Sequence, residues 1–78
     1  MAKAIRLQVR FGEIIRARRL LAGMTQESLA LEAGVSTYYV RLIEGGKKSP
    51  SLRVVESLAG ALRTTVTDLI AEAETIRD

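Results

Sequence analysis

Glycine residues divide this 78-residue chain into short segments in which apolar residues recur every three or four positions. Such segments are followed by Gly23, by Gly34 and by the pair Gly45-Gly46. A recurrence every three or four positions keeps the apolar side chains on one face of an α-helix. The first apolar stripe lies within residues 7–22 and comprises Leu7, Phe11, Ile14, Ile15 and Leu21. The spacing therefore predicts helices, and the chain has length for only one hydrophobic core.

Hydroxyl residues stand where four further helices would begin, at Thr25, Ser36, Ser51 and Thr67. Such side chains accept a hydrogen bond from the first turn of a helix. The predicted inner faces are Leu29, Ala30 and Ala33 in the second helix, Val40 and Ile43 in the third, and Leu52, Val55, Leu58, Ala59 and Leu62 in the fourth. The last segment carries the apolar residues Leu69, Ile70 and Ala73. We predict an all-α fold, a compact five-helix domain that spans residues 1–78.

The composition excludes most catalytic chemistry, because the chain contains no cysteine and no histidine. Disulfides, thiolate zinc sites, cysteine nucleophiles and the usual general base are therefore absent. No paired-carboxylate or Gly-rich phosphate signature replaces them. We expect a protein that is not an enzyme and that needs no metal ion, no other cofactor and no small-molecule ligand.

Two further features concern the surroundings of the protein. No run of about 18 apolar residues is present, and Arg6 and Arg10 interrupt the apolar stretch of a signal-like N-terminus. We expect a soluble, cytoplasmic protein with no membrane partner. Of the net charge of +3, residues 1–22 contribute +5, residues 23–48 nothing and residues 49–78 −2. The first two thirds of the chain are thus the candidate face for a polyanion.

The second and third predicted helices are joined through residues 33–35, Ala-Gly-Val, and Ala30 is a small residue within the first of them. Two short helices with a Gly in the turn are typical of a helix-turn-helix, whose second helix enters the DNA major groove. A plain helical hairpin fits the same spacing, so both alternatives stay open at this point.

An ordered series of fragments lies within residues 11–71: GMTQESLA at 23–30, AGVS at 33–36, IEGGK at 43–47, PSL at 50–52, LA at 58–59 and DLI at 68–70. This series resembles the phage-repressor and Cro-like (XRE-type) helix-turn-helix family. In length and in the pair Tyr39-Val40 the chain is similar to the small controller proteins of restriction-modification operons. The resemblance implies a sequence-specific transcriptional regulator of double-stranded DNA that acts as a homodimer on a palindromic operator, with RNA polymerase or another protein as a candidate partner.

The resemblance also assigns residues that read bases. They are the exposed positions of the third helix: Thr37, Tyr38, Arg41 and Leu42. Arginine suits guanine, whereas Thr or Tyr can contact a thymine methyl group. Leu42 departs from the polar character usual at its position, so it either contacts thymine or packs inward. Tyr39 is assigned to packing in preference to direct DNA contact, because it neighbours the core position Val40.

Phosphate contacts and one ion pair complete the residues implied by the resemblance. The phosphate-binding residues would be Gln26, Ser36, Lys47 and Lys48. The structural alternatives are a polar helix start for Gln26, a simple cap for Ser36 and a solvated loop for the two lysines. Glu44 would pair with Arg19 and orient the recognition helix. Arg18 lies on the apolar stripe, so it either extends outward over the core or pairs with a carboxylate.

The C-terminal segment, residues 66–78, is predicted to carry the dimer contact. Its apolar residues outnumber what packing against the fourth helix would hide. We predict an interface of Val66, Leu69, Ile70 and Ala73, with Ile76 adding to the same apolar surface. Two copies would place their half-sites about 34–36 Å apart on the duplex. A second function stays open, an antitoxin that binds a partner protein and regulates its own operon.

Overall fold

Five α-helices account for most of the chain in the computed structural model, which describes residues 2–75 and the side chains of residues 6–75. The helices are α1 (Ala2–Leu21), α2 (Gln26–Ala33), α3 (Thr37–Glu44), α4 (Leu52–Ala61) and α5 (Val66–Glu74). The predicted all-α, five-helix fold is confirmed, although α1 begins five residues earlier than the apolar stripe indicates. None of the helices described is both long enough and apolar enough to cross a membrane.

Local hydrogen bonds define the helix-turn-helix formed by α2 and α3. The Oγ1 atom of Thr25 accepts a hydrogen bond from the Ser28 backbone N–H, and Ser36 Oγ accepts one from the Tyr39 N–H, both at 3.0 Å. Gly34 follows α2 with a φ of 74°, a left-handed conformation that residues with a Cβ rarely adopt. Thr25 thus caps the start of α2, Gly34 ends α2, and Ser36 caps the start of α3. All three stand at the positions that the sequence predicts.

The start of α5 differs from the prediction. Thr65, and not Thr67, is its N-cap, since Thr65 Oγ1 accepts a hydrogen bond from the Asp68 backbone N–H at 3.0 Å. Thr67 therefore lies inside the first turn. Asp68 still stands near the positive end of the helix dipole, which favours a carboxylate there.

Among the residues that the structure describes, one apolar core joins the five helices. Its buried members are Phe11, Ile15, Leu29, Ala30, Ala33, Val40, Ile43, Val55, Leu58, Ala59, Leu62, Leu69 and Ala73. Two predicted core residues are exposed instead, Leu21 at 88% and Leu52 at 82%. Each stands at the end of its helix, where the spacing still fits the stripe but no neighbouring helix covers the side chain.

The prediction that Leu69 and Ala73 face a second copy is wrong. Both side chains are fully buried within the protomer. The prediction counted only α4 as a partner of α5, whereas α5 also packs extensively against the long helix α1. Val66 and Ile70 are half-buried and keep exposed surface, while Ile76 lies outside the described residues.

An ion pair links α1 to α5. The guanidinium of Arg18 donates from Nε to Glu72 Oε1 at 3.1 Å and from Nη2 to Oε2. These hydrogen bonds raise the pKa of Arg18 and hold the pKa of Glu72 below its usual value. Of the two alternatives for Arg18, the structure has the carboxylate partner.

Candidate nucleic-acid interface

Helix α3 has one buried face and one open face. Val40 and Ile43 are packed in the core, whereas Tyr38 is 66% exposed and the side chain of Arg41 57% exposed. Thr37 and Leu42, the other two predicted base-reading residues, are half-buried. Tyr38 and Arg41 therefore offer the largest accessible side chains on this helix.

A close backbone approach between α1 and α3 sets the position of α3. Gly12 is buried, and a Cβ built there would clash with the carbonyl oxygen of Ile43 and lie 3.0 Å from that of Glu44. Only glycine lets the two helices approach so closely. Sequence reasoning missed this residue, although an isolated Gly inside a helical pattern is itself a signal of close packing.

The pair Arg19 and Glu44 joins the end of α1 to the end of α3. The Nε atom of Arg19 donates to Glu44 Oε2 at 2.7 Å, and Nη2 donates to Oε1 at 3.0 Å. The same guanidinium donates from Nη1 to the backbone oxygen of Met24 at 2.9 Å. The two paired side chains are 9% and 4% exposed, and the hydrogen bonds to Glu44 raise the pKa of Arg19. The structure thus brings together the two residues that the resemblance pairs.

The amide of Gln26 lies between this pair and the open face of α3. Its Nε2 donates to Glu44 Oε1 at 3.0 Å, and its Oε1 accepts from Arg41 Nε at 3.2 Å. Glu27 Oε2 stands 3.8 Å from Arg41 Nη2. Sequence reasoning did not anticipate either contact of Arg41, because both depend on how α2 and α3 cross.

The turn after α3 carries the exposed side chains of Lys47 and Lys48. The Nζ atom of Lys48 lies 5.7 Å from the centre of the Tyr39 ring, within the range of a cation–π contact. The half-buried ring of Tyr39 packs against the core, as predicted. On the other side of the turn, Gln8 Nε2 donates to the Gly46 carbonyl at 2.9 Å, a link to α1 that the sequence did not indicate.

Several of these residues offer polar groups on or beside the open face of α3. Tyr38 and Arg41 can contact base edges in a groove wide enough for an α-helix. Gln26 and the two lysines offer donors at the start of α2 and after α3, where phosphate contacts fix a helix-turn-helix on DNA. Ser36 already acts as the cap of α3, and this role leaves its hydroxyl proton for an acceptor.

Comparisons with known proteins agree with this fold. A family model described as helix-turn-helix matches residues 15–69. An immunity repressor protein of Bacillus phage phi105 is 36% identical over 67 residues, which cover 86% of this chain and 46% of that protein. An uncharacterized HTH-type transcriptional regulator of Archaeoglobus fulgidus is 40% identical over 55 residues, which cover 70% of this chain and 79% of the relative.

A solved structure is similar as well. The restriction-modification controller protein C.AhdI from Aeromonas hydrophila superposes with a TM-score of 0.78 at 35% identity, over 80% of this chain and 94% of that one. The chain thus spans less than half of the phage repressor but nearly all of the controller protein.

Proposed function

Because the chain belongs to the helix-turn-helix family, as its sequence predicts, we propose that it is a sequence-specific DNA-binding transcriptional regulator. The observation that carries this proposal is the two-sided character of α3. Val40 and Ile43 anchor the helix in the core, while Tyr38 and Arg41 project from its other side. A guanidinium can donate two parallel hydrogen bonds to guanine, and a tyrosine ring can contact a thymine methyl group.

The relatives favour a particular setting for this regulator. One is named a repressor and another a restriction-modification controller. The chain matches nearly the full length of the controller protein, so a restriction-modification operon is the candidate target. Regulation by this chain would then follow from occupancy of an operator alone, with no cofactor.

The regulator would act as a homodimer on a palindromic operator. A helix of eight residues contacts only a short half-site, and two copies would read half-sites about 34–36 Å apart. A mainly apolar groove of about 300 Å³ runs between α1, α4 and α5 and offers a surface for the second copy. Its lining includes Leu7, Phe11, Leu52, Val55 and Ile70. Ile70 thereby remains a candidate interface residue, together with the neighbouring Val66.

Selection of bound sequences from a random duplex pool tests this function directly. We expect a palindromic consensus, because a twofold dimer reads two copies of one half-site. Enrichment of a single unpaired half-site would contradict the dimer. A pool from which no sequence is enriched would refute sequence-specific binding altogether.

A set of variants then separates base reading from phosphate binding. Tyr38→Ala and Arg41→Ala should each cost about 1–3 kcal/mol on the selected operator and flatten discrimination at one or two base pairs. Lys47→Ala and Lys48→Ala should weaken binding to all duplexes by similar factors. Each of these lysine variants should also reduce the slope of log affinity against log salt by about one for every phosphate that the protein no longer neutralises.

The matched control is Leu21→Ala, which truncates an exposed side chain at the last residue of α1, outside the proposed DNA contacts, and should change neither quantity. The decisive measurement titrates each variant on operator and scrambled duplexes at several salt concentrations. If Tyr38→Ala and Arg41→Ala leave the base preference intact while Lys47→Ala alters it, α3 does not read the groove as proposed.

A further inference from the structure

A continuous chain of hydrogen bonds runs from the buried pair Arg19 and Glu44, through the amide of Gln26, to the exposed guanidinium of Arg41. We propose that Gln26 is a positioning residue for Arg41, which it holds in the orientation that reads a base. This inference rests on the proposed function, since it assigns to Gln26 a share of the sequence specificity of α3.

The chemistry of the neighbours dictates which way the amide points. An ionised carboxylate only accepts hydrogen bonds, and a guanidinium only donates them. The NH₂ group of Gln26 must therefore face Glu44, and its carbonyl oxygen must face Arg41. A rotation of the amide by half a turn would set acceptor against acceptor and donor against donor. Glu44 cannot rotate to accommodate such a turn, because Arg19 binds both of its oxygens in a buried site.

The hydrogen bond between Gln26 and Arg41 also leaves the two terminal nitrogens of the Arg41 guanidinium available for a base. Gln26 Oε1 accepts from Nε, so the terminal Nη1 and Nη2 groups remain free to donate to the two acceptors of guanine. The approach of Glu27, at 3.8 Å between two exposed side chains, is longer than a hydrogen bond and is screened by solvent. A long arginine side chain loses rotamer freedom when it binds, and a side chain that is already oriented loses less.

Phosphate binding by Gln26 predicts a different outcome. The amide nitrogen has two N–H donors, so the bond to Glu44 leaves one for a phosphate. Phosphate contacts carry no direct sequence information. Removal of a phosphate-binding group would weaken binding to all duplexes equally, whereas removal of a positioning group would act at the base pair that Arg41 reads.

The first test uses the free protein, so it does not depend on DNA binding. NMR would follow exchange with water of the Arg41 Nε–H in wild type and in Gln26→Met, which removes both hydrogen bonds and keeps the side-chain length. We expect exchange to become about five-fold faster, the factor that one ordinary hydrogen bond contributes. The control is Glu27→Gln, which alters the other neighbour of Arg41 and should leave the Nε–H unchanged. An unchanged Arg41 Nε–H in Gln26→Met would overturn the proposal.

The second test is a double-mutant cycle on the selected operator and on duplexes with single base-pair changes. Gln26→Met should lower discrimination about five-fold at the base pair where Arg41→Ala lowers it, with no further loss when both changes are combined. Equal losses on every duplex, or losses that simply add, would overturn the proposal. Gln26→Ala provides a second variant with both bonds removed, and circular dichroism verifies that each variant is folded. If wild type enriches no sequence, the proposed function fails, while the exchange measurement still decides whether Gln26 holds Arg41.

Discussion

Replacing Glu44 with alanine would remove the partner of a charge that the fold has buried. Glu44 and Arg19 are joined by two hydrogen bonds of 2.7 and 3.0 Å, and their side chains are almost inaccessible to solvent. After the change, the Met24 carbonyl at 2.9 Å would be the remaining acceptor among those that now bind Arg19. Gln26 would lose its acceptor as well. The guanidinium would therefore stay charged in a site that no longer compensates it.

The expected cost is large for a domain of this size. Breaking a buried ion pair by removing one partner typically costs about 3–5 kcal/mol. A chain of 78 residues has a total stability of about 4–12 kcal/mol. Glu44→Ala should therefore remove a large share of the free energy of unfolding. Replacing both partners, Arg19→Met with Glu44→Leu, should recover most of this loss, because no uncompensated charge remains in the core.

Denaturant unfolding followed by far-ultraviolet circular dichroism measures these changes. The matched control is Glu13→Ala, which breaks the pair with Arg10 on the surface of α1, where the Glu13 side chain is 55% exposed. This control should cost less than about 1 kcal/mol. A loss of the same small size for Glu44→Ala, or a double variant as unstable as the single one, would refute the reasoning from burial.

Three further predictions concern other parts of the fold. Gly12→Ala should destabilise the fold by about 1–3 kcal/mol in thermal unfolding, because the new Cβ would clash with the backbone of α3. Gly60→Ala should stabilise the fold, because Gly60 lies inside α4 with open space around it. Equal effects of the two changes would contradict the close approach of α1 and α3. Arg18 lowers the pKa of Glu72, so the wild-type protein should be more stable to unfolding than Glu72→Gln near neutral pH. That difference should shrink as the pH falls below about 4.3; a pH-independent difference down to strong acid would count against the pair. Ile70→Glu should give a folded monomer with weaker operator binding, because Ile70 lines the apolar groove between α1, α4 and α5 that is proposed to bind the second copy. If sedimentation still shows a dimer, the dimer interface does not lie in this groove.

Much of the candidate site could be predicted because its determinants are local. Thr25 and Ser36 accept hydrogen bonds from the backbone N–H groups three residues further along the chain. Gly34 adopts a left-handed backbone conformation, which glycine reaches easily because it has no Cβ. Such features depend on neighbours along the chain. The spacing of Val40 and Ile43 likewise decides which side of α3 is buried, and so which side remains open to DNA.

The sequence by itself determined the five helices, the turn between α2 and α3, and the face of α3 that projects outward. Only the tertiary structure decided what surrounds each helix. It buried Leu69 and Ala73 in a core to which α1 also contributes, brought Gly12 against the end of α3 and set Gln26 between Glu44 and Arg41. The physical reason is the range of the forces involved. Caps and periodicity act within one or two turns, whereas burial and side-chain pairing depend on segments that are distant along the chain and meet only after folding.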